Sequence, residues 1–189
     1  MKYIGNRISY QSKNGIFSVV IAASVERSKE SLLAAWLFCW SICGLYFIYQ
    51  LFSDLPKETK MYIVILVAFW AYYELRVFRM FRWRKFGYES IKFIEDRLVI
   101  KDVVKGRGKE KSYFIENIKQ IGRLKMENNW MKTMDQSFWV KGTGILQFEY
   151  QGKLIAFGRQ IDDKESNALL SVIQKELADR KKNLDSTNS

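Results

Sequence analysis

Hydrophobic positions in this chain follow three different rhythms. Ser31 to Phe52 (SLLAAWLFCWSICGLYFIYQLF) holds no charged residue, and a second apolar stretch, Met61 to Tyr73, follows after a short polar interval. A helix needs roughly 20 apolar residues to cross a hydrocarbon core of about 30 Å, because every buried amide and carbonyl has to be satisfied within the segment. The first run meets that length unaided. The second meets it only by continuing through Glu74, Arg76 and Arg79 to about Phe81. Two membrane spans are therefore predicted, over about 31–52 and 60–81, forming a helical hairpin within residues 31–83. The intervening Ser53 to Lys60 (SDLPKETK) contains the single proline of the chain, Pro56, which suits a first helical turn, with Asp54 placed to cap it.

Beyond Tyr88 the rhythm shortens to that of β-strands. Ser90 to Glu95, Leu98 to Lys101 continuing into Val104, Ser112 to Ile115, Ile118 to Met126, Ser137 to Lys141, Ile145 to Tyr150 and Leu154 to Phe157 make seven candidate strands, punctuated by glycines suited to tight turns. Leu169, Leu170, Val172, Ile173 and Leu177 then recur at helical spacing, between an acidic start at Asp162-Asp163-Lys164-Glu165 and a basic end at Arg180-Lys181-Lys182 that both suit the helix dipole. These elements define a soluble α+β domain over 86–182, followed by a polar tail, 183–189, predicted to be disordered. Residues 1–30 form a polar N-terminal segment. Its Asn14-Gly15 pair between two apolar alternations predicts a β-hairpin, free-standing or added as two strands to the later sheet.

Charge orients this layout. The net charge is +11, and the first 85 residues carry 12 basic against 5 acidic side chains, so the excess lies beside the predicted membrane. Lys2, Arg7, Lys13, Arg27 and Lys29 precede the first span. Arg76, Arg79, Arg82, Arg84 and Lys85 close the second, whereas the loop between the spans has only Lys57 and Lys60, opposed by Asp54 and Glu58. Cytoplasmic flanks hold the lysine and arginine excess, which predicts a two-pass inner-membrane protein with both termini cytoplasmic. Met1 to Asn6 has no apolar core, so no cleaved signal peptide is expected. The nearly balanced soluble half argues against nucleic-acid binding.

The chain has no histidine, which removes the commonest general base and metal ligand and, with it, zinc sites and histidine-dependent nucleophilic catalysis. No metal and no cofactor are expected. The two cysteines, Cys39 and Cys43, lie one turn apart on the first span. They read as small hydrophobes, with a helix contact or an acylation site as the alternatives.

Seven short strands closed by one amphipathic helix is the order of a pleckstrin-homology-like (PH-like) domain, and two spans leading into such a domain resemble the bacterial membrane-anchored PH-like proteins. The layout is also similar to that of the photosystem I assembly proteins of chloroplasts and cyanobacteria. The resemblance covers about residues 30–182 and is clearest in Ile145 to Leu177 (ILQFEYQGKLIAFGRQIDDKESNALLSVIQKEL). It implies a bent seven-stranded antiparallel sheet or barrel capped by the C-terminal helix, acting by binding proteins or lipids. It carries no functional residue across, because it is a match of layout and not of motif.

Candidate sites come from the residues themselves. Arg76, Arg79, Arg82, Arg84 and Lys85 are placed to meet anionic lipid headgroups or simply to anchor the hairpin. Glu74 is the one ionisable residue expected below the membrane surface, where a carboxylate is a functional candidate by default. Trp36, Trp40 and Trp70 belong to unusually aromatic spans, suited to docking a larger membrane partner or to pigment or quinone tails, or else to packing the hairpin and anchoring it at the interface. Gly44 would allow close helix approach. Met126, Trp130, Met131 and Met134 lie in a long loop and suit an adaptable protein-contact patch or, for Trp130, the core. Together these features predict a non-enzymatic subunit, scaffold or assembly factor of a larger integral membrane complex. The alternatives are a regulator responsive to anionic lipids and an enzyme modifying lipids or the envelope.

Overall fold

A computed structural model describes residues 1–23, 27–124 and 142–187, which fall into two units: one formed by residues 25–85, the other by the segments on either side, 1–24 and 86–189.

The first unit is the helical hairpin. Helix α1 spans Arg27–Gln50 and α2 spans Lys57–Phe86. At 24 and 30 residues they are about 36 and 45 Å long at a rise of about 1.5 Å per residue, and both are long and apolar enough to cross a membrane. The excess length of α2 is the part that carries the arginines. The end of α1 satisfies its last carbonyls locally. The turn tightens, with Leu51, Phe52 and Ser53 N–H groups donating to the carbonyls three residues back at 3.1, 3.0 and 3.3 Å, and the Ser53 hydroxyl also donates to Gln50 O at 2.7 Å. Pro56 precedes α2, and its carbonyl accepts the first helical bond from Lys60 at 3.1 Å.

The second unit holds nine strands and one helix among the described residues. A six-stranded antiparallel sheet runs in sequence order through β1 (Lys2–Ile4), β2 (Ile8–Lys13), β3 (Ile16–Ala22), β4 (Gly87–Ile94), β5 (Arg97–Val104) and β6 (Glu110–Phe114). After a 3-10 turn at Ile115–Asn117, β7 (Ile118–Arg123), β8 (Leu146–Tyr150) and β9 (Lys153–Phe157) make a three-stranded sheet, and α3 spans Asp163–Thr187. The N-terminal strands thus belong to the later sheet. β3 pairs with β4 in unbroken register from Phe17 opposite Phe93 to Ala22 opposite Tyr88, and Ala23 N–H donates to Gly87 O at 3.1 Å. Asn14 and Gly15 take positive φ of 52° and 73° at the β2–β3 turn, the mirror-image geometry that matches strand twist and that this dipeptide adopts at little strain.

One core joins all the layers. Ile8, Phe17, Val19 and Ile21 meet Ile91, Phe93, Leu98 and Ile100 from the first sheet, Ile118, Leu146, Phe148 and Phe157 from the second, and Leu169, Ile173 and Leu177 from α3. Helix α3 starts with a reciprocal cap: Asp162 Oδ1 accepts the Glu165 N–H at 2.6 Å, while Glu165 Oε2 accepts the Asp162 N–H at 3.3 Å.

Two expectations change, and a third falls outside the described residues. The strands divide between two sheets, neither closed, where one bent sheet or barrel was anticipated. Six strands follow α2 among the described residues, and the candidate strand Ser137–Lys141 lies outside them. The segment 183–189, read as a disordered tail, is helical as far as Thr187, because no glycine or proline stops α3 and Leu184, seven residues after Leu177, packs against the core.

Integration of the N-terminal strands sets a stability expectation. Ile21→Ala, which empties a site 2% exposed on β3, should destabilise the sheet unit by about 2–5 kcal/mol. Leu154→Ala, at a site 65% exposed on β9, should cost under about 0.5 kcal/mol. Urea unfolding followed by near-ultraviolet circular dichroism measures both, and equal effects would show that β3 is no part of the core.

Candidate functional site

The two helices of the hairpin are fastened at three levels. Lys85 Nζ lies 3.2 Å from Glu30 Oε1 at one end. Further along, the Ser41 hydroxyl donates to Glu74 Oε1 at 2.8 Å, and beyond that the Trp70 indole N–H donates to Trp40 O at 2.9 Å. As the partner on α1 advances from 30 to 41 the partner on α2 retreats from 85 to 74, so the antiparallel register does not slip. A Cβ on Gly44 would stand 1.9 Å from Trp70 Cε2, which means that the indole occupies the space a side chain would need. Glycine is required there by contact and not by backbone angle.

These contacts assign several of the residues singled out in the sequence. Trp70 and Trp40 are engaged within the hairpin, and Trp36 and Trp40 stack with ring centroids 5.2 Å apart and planes 14° apart. Both residues thus take part in the packing of the hairpin, and the Trp40 indole N–H is buried with no hydrogen bond among the described residues. Glu74 is half-buried and held by Ser41, while its Oε2 is buried with no hydrogen bond among the described residues. Arg76, Arg79, Arg82 and Lys85 are exposed along the last turns of α2. Arg84 differs. It is 9% exposed beside the buried Trp83, so it does not offer its side chain to headgroups as the sequence reading had it. Met126, Trp130, Met131 and Met134 lie outside the described residues.

The lipid-compatible surface of the hairpin is broad and aromatic: Phe38, Tyr46, Tyr49, Phe69 and Tyr72 are all more than half exposed. Cys39 and Cys43 are exposed on the same helix as free thiols.

In the sheet unit a polar constellation surrounds Glu89, a residue that sequence reasoning passed over. Glu89 is 1% exposed, and its Oε2 accepts the N–H groups of Gly158 and Arg159 at 2.9 and 3.1 Å. The Arg159 guanidinium pairs with Asp102, directly across from Glu89 in the β4–β5 register, and its Nε donates to Gly142 O at 3.1 Å. Glu89 therefore ties the six-stranded sheet to the chain leaving the three-stranded one. Burial pushes its carboxyl pKa above the usual value, against the opposing pull of Arg159. A signal for it existed. β4 alternates inward Ile91 and Phe93 with outward Ser90 and Lys92, and on that period Glu89 falls on the inward side, where a carboxylate must find donors.

A second tie fixes the N-terminal strands. Arg7 donates to Gln160 O at 2.6 Å and Ala22 O at 3.2 Å and lies 3.8 Å from Glu165 Oε2. Burial lowers its pKa, opposed by Glu165 and Asp162. Arg180, read in the sequence only as a complement to the helix dipole, donates to Glu95 O and Gly15 O at 3.0 and 2.6 Å and so holds two hairpin turns to α3.

No protein-family model matches this chain, and no curated protein is detectably similar to it in sequence. Its chemistry rests on the geometry above.

A raised acid pKa means that the folded unit holds the proton more tightly than the unfolded chain. The stability this provides is complete below the unfolded pKa and is lost as pH rises through the folded one. The sheet unit should therefore lose stability across that window, and Glu89→Gln, which keeps an acceptor oxygen without the charge, should flatten the dependence. Urea midpoints across pH for both proteins measure it. Separately, Gly44→Val should abolish the Trp70–Trp40 hydrogen bond, read as a change in tryptophan fluorescence of the detergent-solubilised protein.

Proposed function

We propose that this chain is a non-enzymatic two-pass protein of the inner membrane that holds a PH-like domain at the cytoplasmic face, as a subunit, scaffold or assembly factor of a larger membrane complex. The observation that carries this reading is the β3–β4 ladder. Its strands flank the hairpin on either side in sequence, so a sheet containing both favours two spans that return the chain to the face it left. The lysine and arginine excess of those flanks favours the cytoplasm as that face. The PH-like description draws on an antiparallel meander whose core is closed by a single C-terminal helix.

The mechanism is tethering. α2 ends at Phe86 and β4 begins at Gly87, so no linker residue separates the two elements in sequence. A domain so attached meets membrane-bound partners at an effective concentration far above that of a freely diffusing one, without any additional contact. The exposed aromatic rings of the hairpin suit a partner within the bilayer, since Ser41, Gly44, Trp70 and Glu74 already serve the packing between α1 and α2.

A second reading has its own observation. Arg76, Arg79, Arg82 and Lys85 remain exposed at the end of α2, and each cation near an anionic surface contributes on the order of 1 kcal/mol. This favours a regulator responsive to anionic lipid.

Purification of the full chain in mild detergent separates the two. Scaffolding predicts stoichiometric integral membrane partners. A lipid-responsive regulator would purify alone and bind anionic vesicles with an affinity that falls as salt rises. Protease added outside intact cells should leave both termini uncut, and cleavage of either would overturn the proposed orientation.

A further inference from the structure

The outward face of the β4–β5 pair holds a cavity of about 160 Å³. That is room for several waters or one small polyatomic group, and too little for a drug-sized ligand. Strand periodicity explains what lines it. Tyr88, Ser90 and Lys92 alternate with the inward Glu89, Ile91 and Phe93, and across the ladder they stand opposite Val103, Lys101 and Val99. Side chains directly opposite one another on one face of an antiparallel pair lie about 5 Å apart at Cβ. The ladder therefore gathers two ammonium groups and two hydroxyls over a floor of two buried valines, Val99 and Val103.

The donors are available. Ser90 is 6% exposed, and no hydrogen bond or ion pair engages its hydroxyl, the Tyr88 hydroxyl or the Lys92 ammonium among the described residues; the Ser90 hydroxyl is not sealed off but opens onto the groove. Among the described residues Lys101 pairs with Glu110 Oε2 at 3.7 Å, on a side chain 55% exposed. That is a long contact on a solvated carboxylate, and surface pairs of this kind hold weakly. A small acceptor group carrying negative charge would meet all four donors at once.

We propose that this groove is a binding site for a phosphate monoester group, held by Lys92, Lys101, Ser90 and Tyr88. A monoester carries about −1.5 to −2 charges at neutral pH with three acceptor oxygens. It therefore matches two ammonium groups and two hydroxyl donors better than a planar carboxylate with a single charge. Glu110 competes for Lys101 and swings away when the site fills. The site lies wholly within the sheet unit and uses none of the cations at the end of α2, so it stands apart from both readings of function given above.

The test uses the full chain in nanodiscs of neutral phosphatidylcholine, titrated calorimetrically with glycerol phosphate, inorganic phosphate and acetate. Glycerol phosphate should bind one to one. Lys92→Ala and Lys101→Ala should each weaken it about tenfold, as loss of a charge-assisted hydrogen bond does, and Glu110→Gln should strengthen it by removing the competitor. Repeating the titration in nanodiscs containing phosphatidic acid identifies the source: lost binding of the soluble ester assigns the site to a lipid headgroup, and undiminished binding assigns it to a soluble phosphate ester. Lys92 is exposed, so its replacement leaves the core intact, as an unchanged thermal unfolding profile will verify. Acetate binding as tightly as phosphate, no binding at all, or an affinity indifferent to Lys92→Ala would overturn the proposal.

Discussion

Everything in this architecture depends on one ladder of backbone hydrogen bonds, that between β3 and β4. It joins residues made before the two helices to residues made after them, from Phe17 opposite Phe93 to Ala22 opposite Tyr88. Remove it and the six-stranded sheet separates into two three-stranded fragments, each with a newly exposed apolar edge. With it, Val19 and Ile21 reach the same core as Ile91 and Leu169. The ladder makes the N-terminal segment part of the sheet unit, and it restricts how the intervening hairpin can cross a bilayer.

Around that ladder the polar ties follow a common logic. Glu89 holds the two sheets together through buried N–H donors, Arg7 holds the N-terminal turn to the approach of α3, and Arg180 holds two hairpin turns to the body of α3. Each is a charged side chain whose partners are largely backbone groups. Such ties are specific to one arrangement of the chain, because the geometry that satisfies a peptide carbonyl or amide is narrow. The apolar core supplies the driving force, and these ties select among the ways of packing it.

Much of the fold was legible in the alternation of residues. The uncharged run from Ser31 to Phe52, the Asn14-Gly15 turn and the Leu169–Leu177 stripe each produce the element their pattern implies, through apolar length, tolerance of positive φ and a helical period that buries one face, respectively. The division of strands between two sheets was not legible, since it falls between β6 and β7, consecutive strands whose alternation does not reveal that they fail to pair. The length of α3 was missed because a single residue, Leu184, carries the signal. Among the site residues, exposure of Arg76, Arg79, Arg82 and Lys85 agrees with their charge, whereas the burial of Arg84 depends on surroundings that no window of sequence contains. Glu89 was readable in principle from its inward register, but its donors at Gly158 and Arg159 come from the far end of the domain.

The same ladder bears on how the protein is made. β3 is complete when translation has passed Ala22, but β4 is complete only after Ile94. At about 5–20 residues per second, its partner arrives roughly 4–14 s later, after both helices have been made. During that time the first three strands can form only their own meander, with the apolar flank of β3 unpaired. A nascent chain with such a wait is exposed to misassociation.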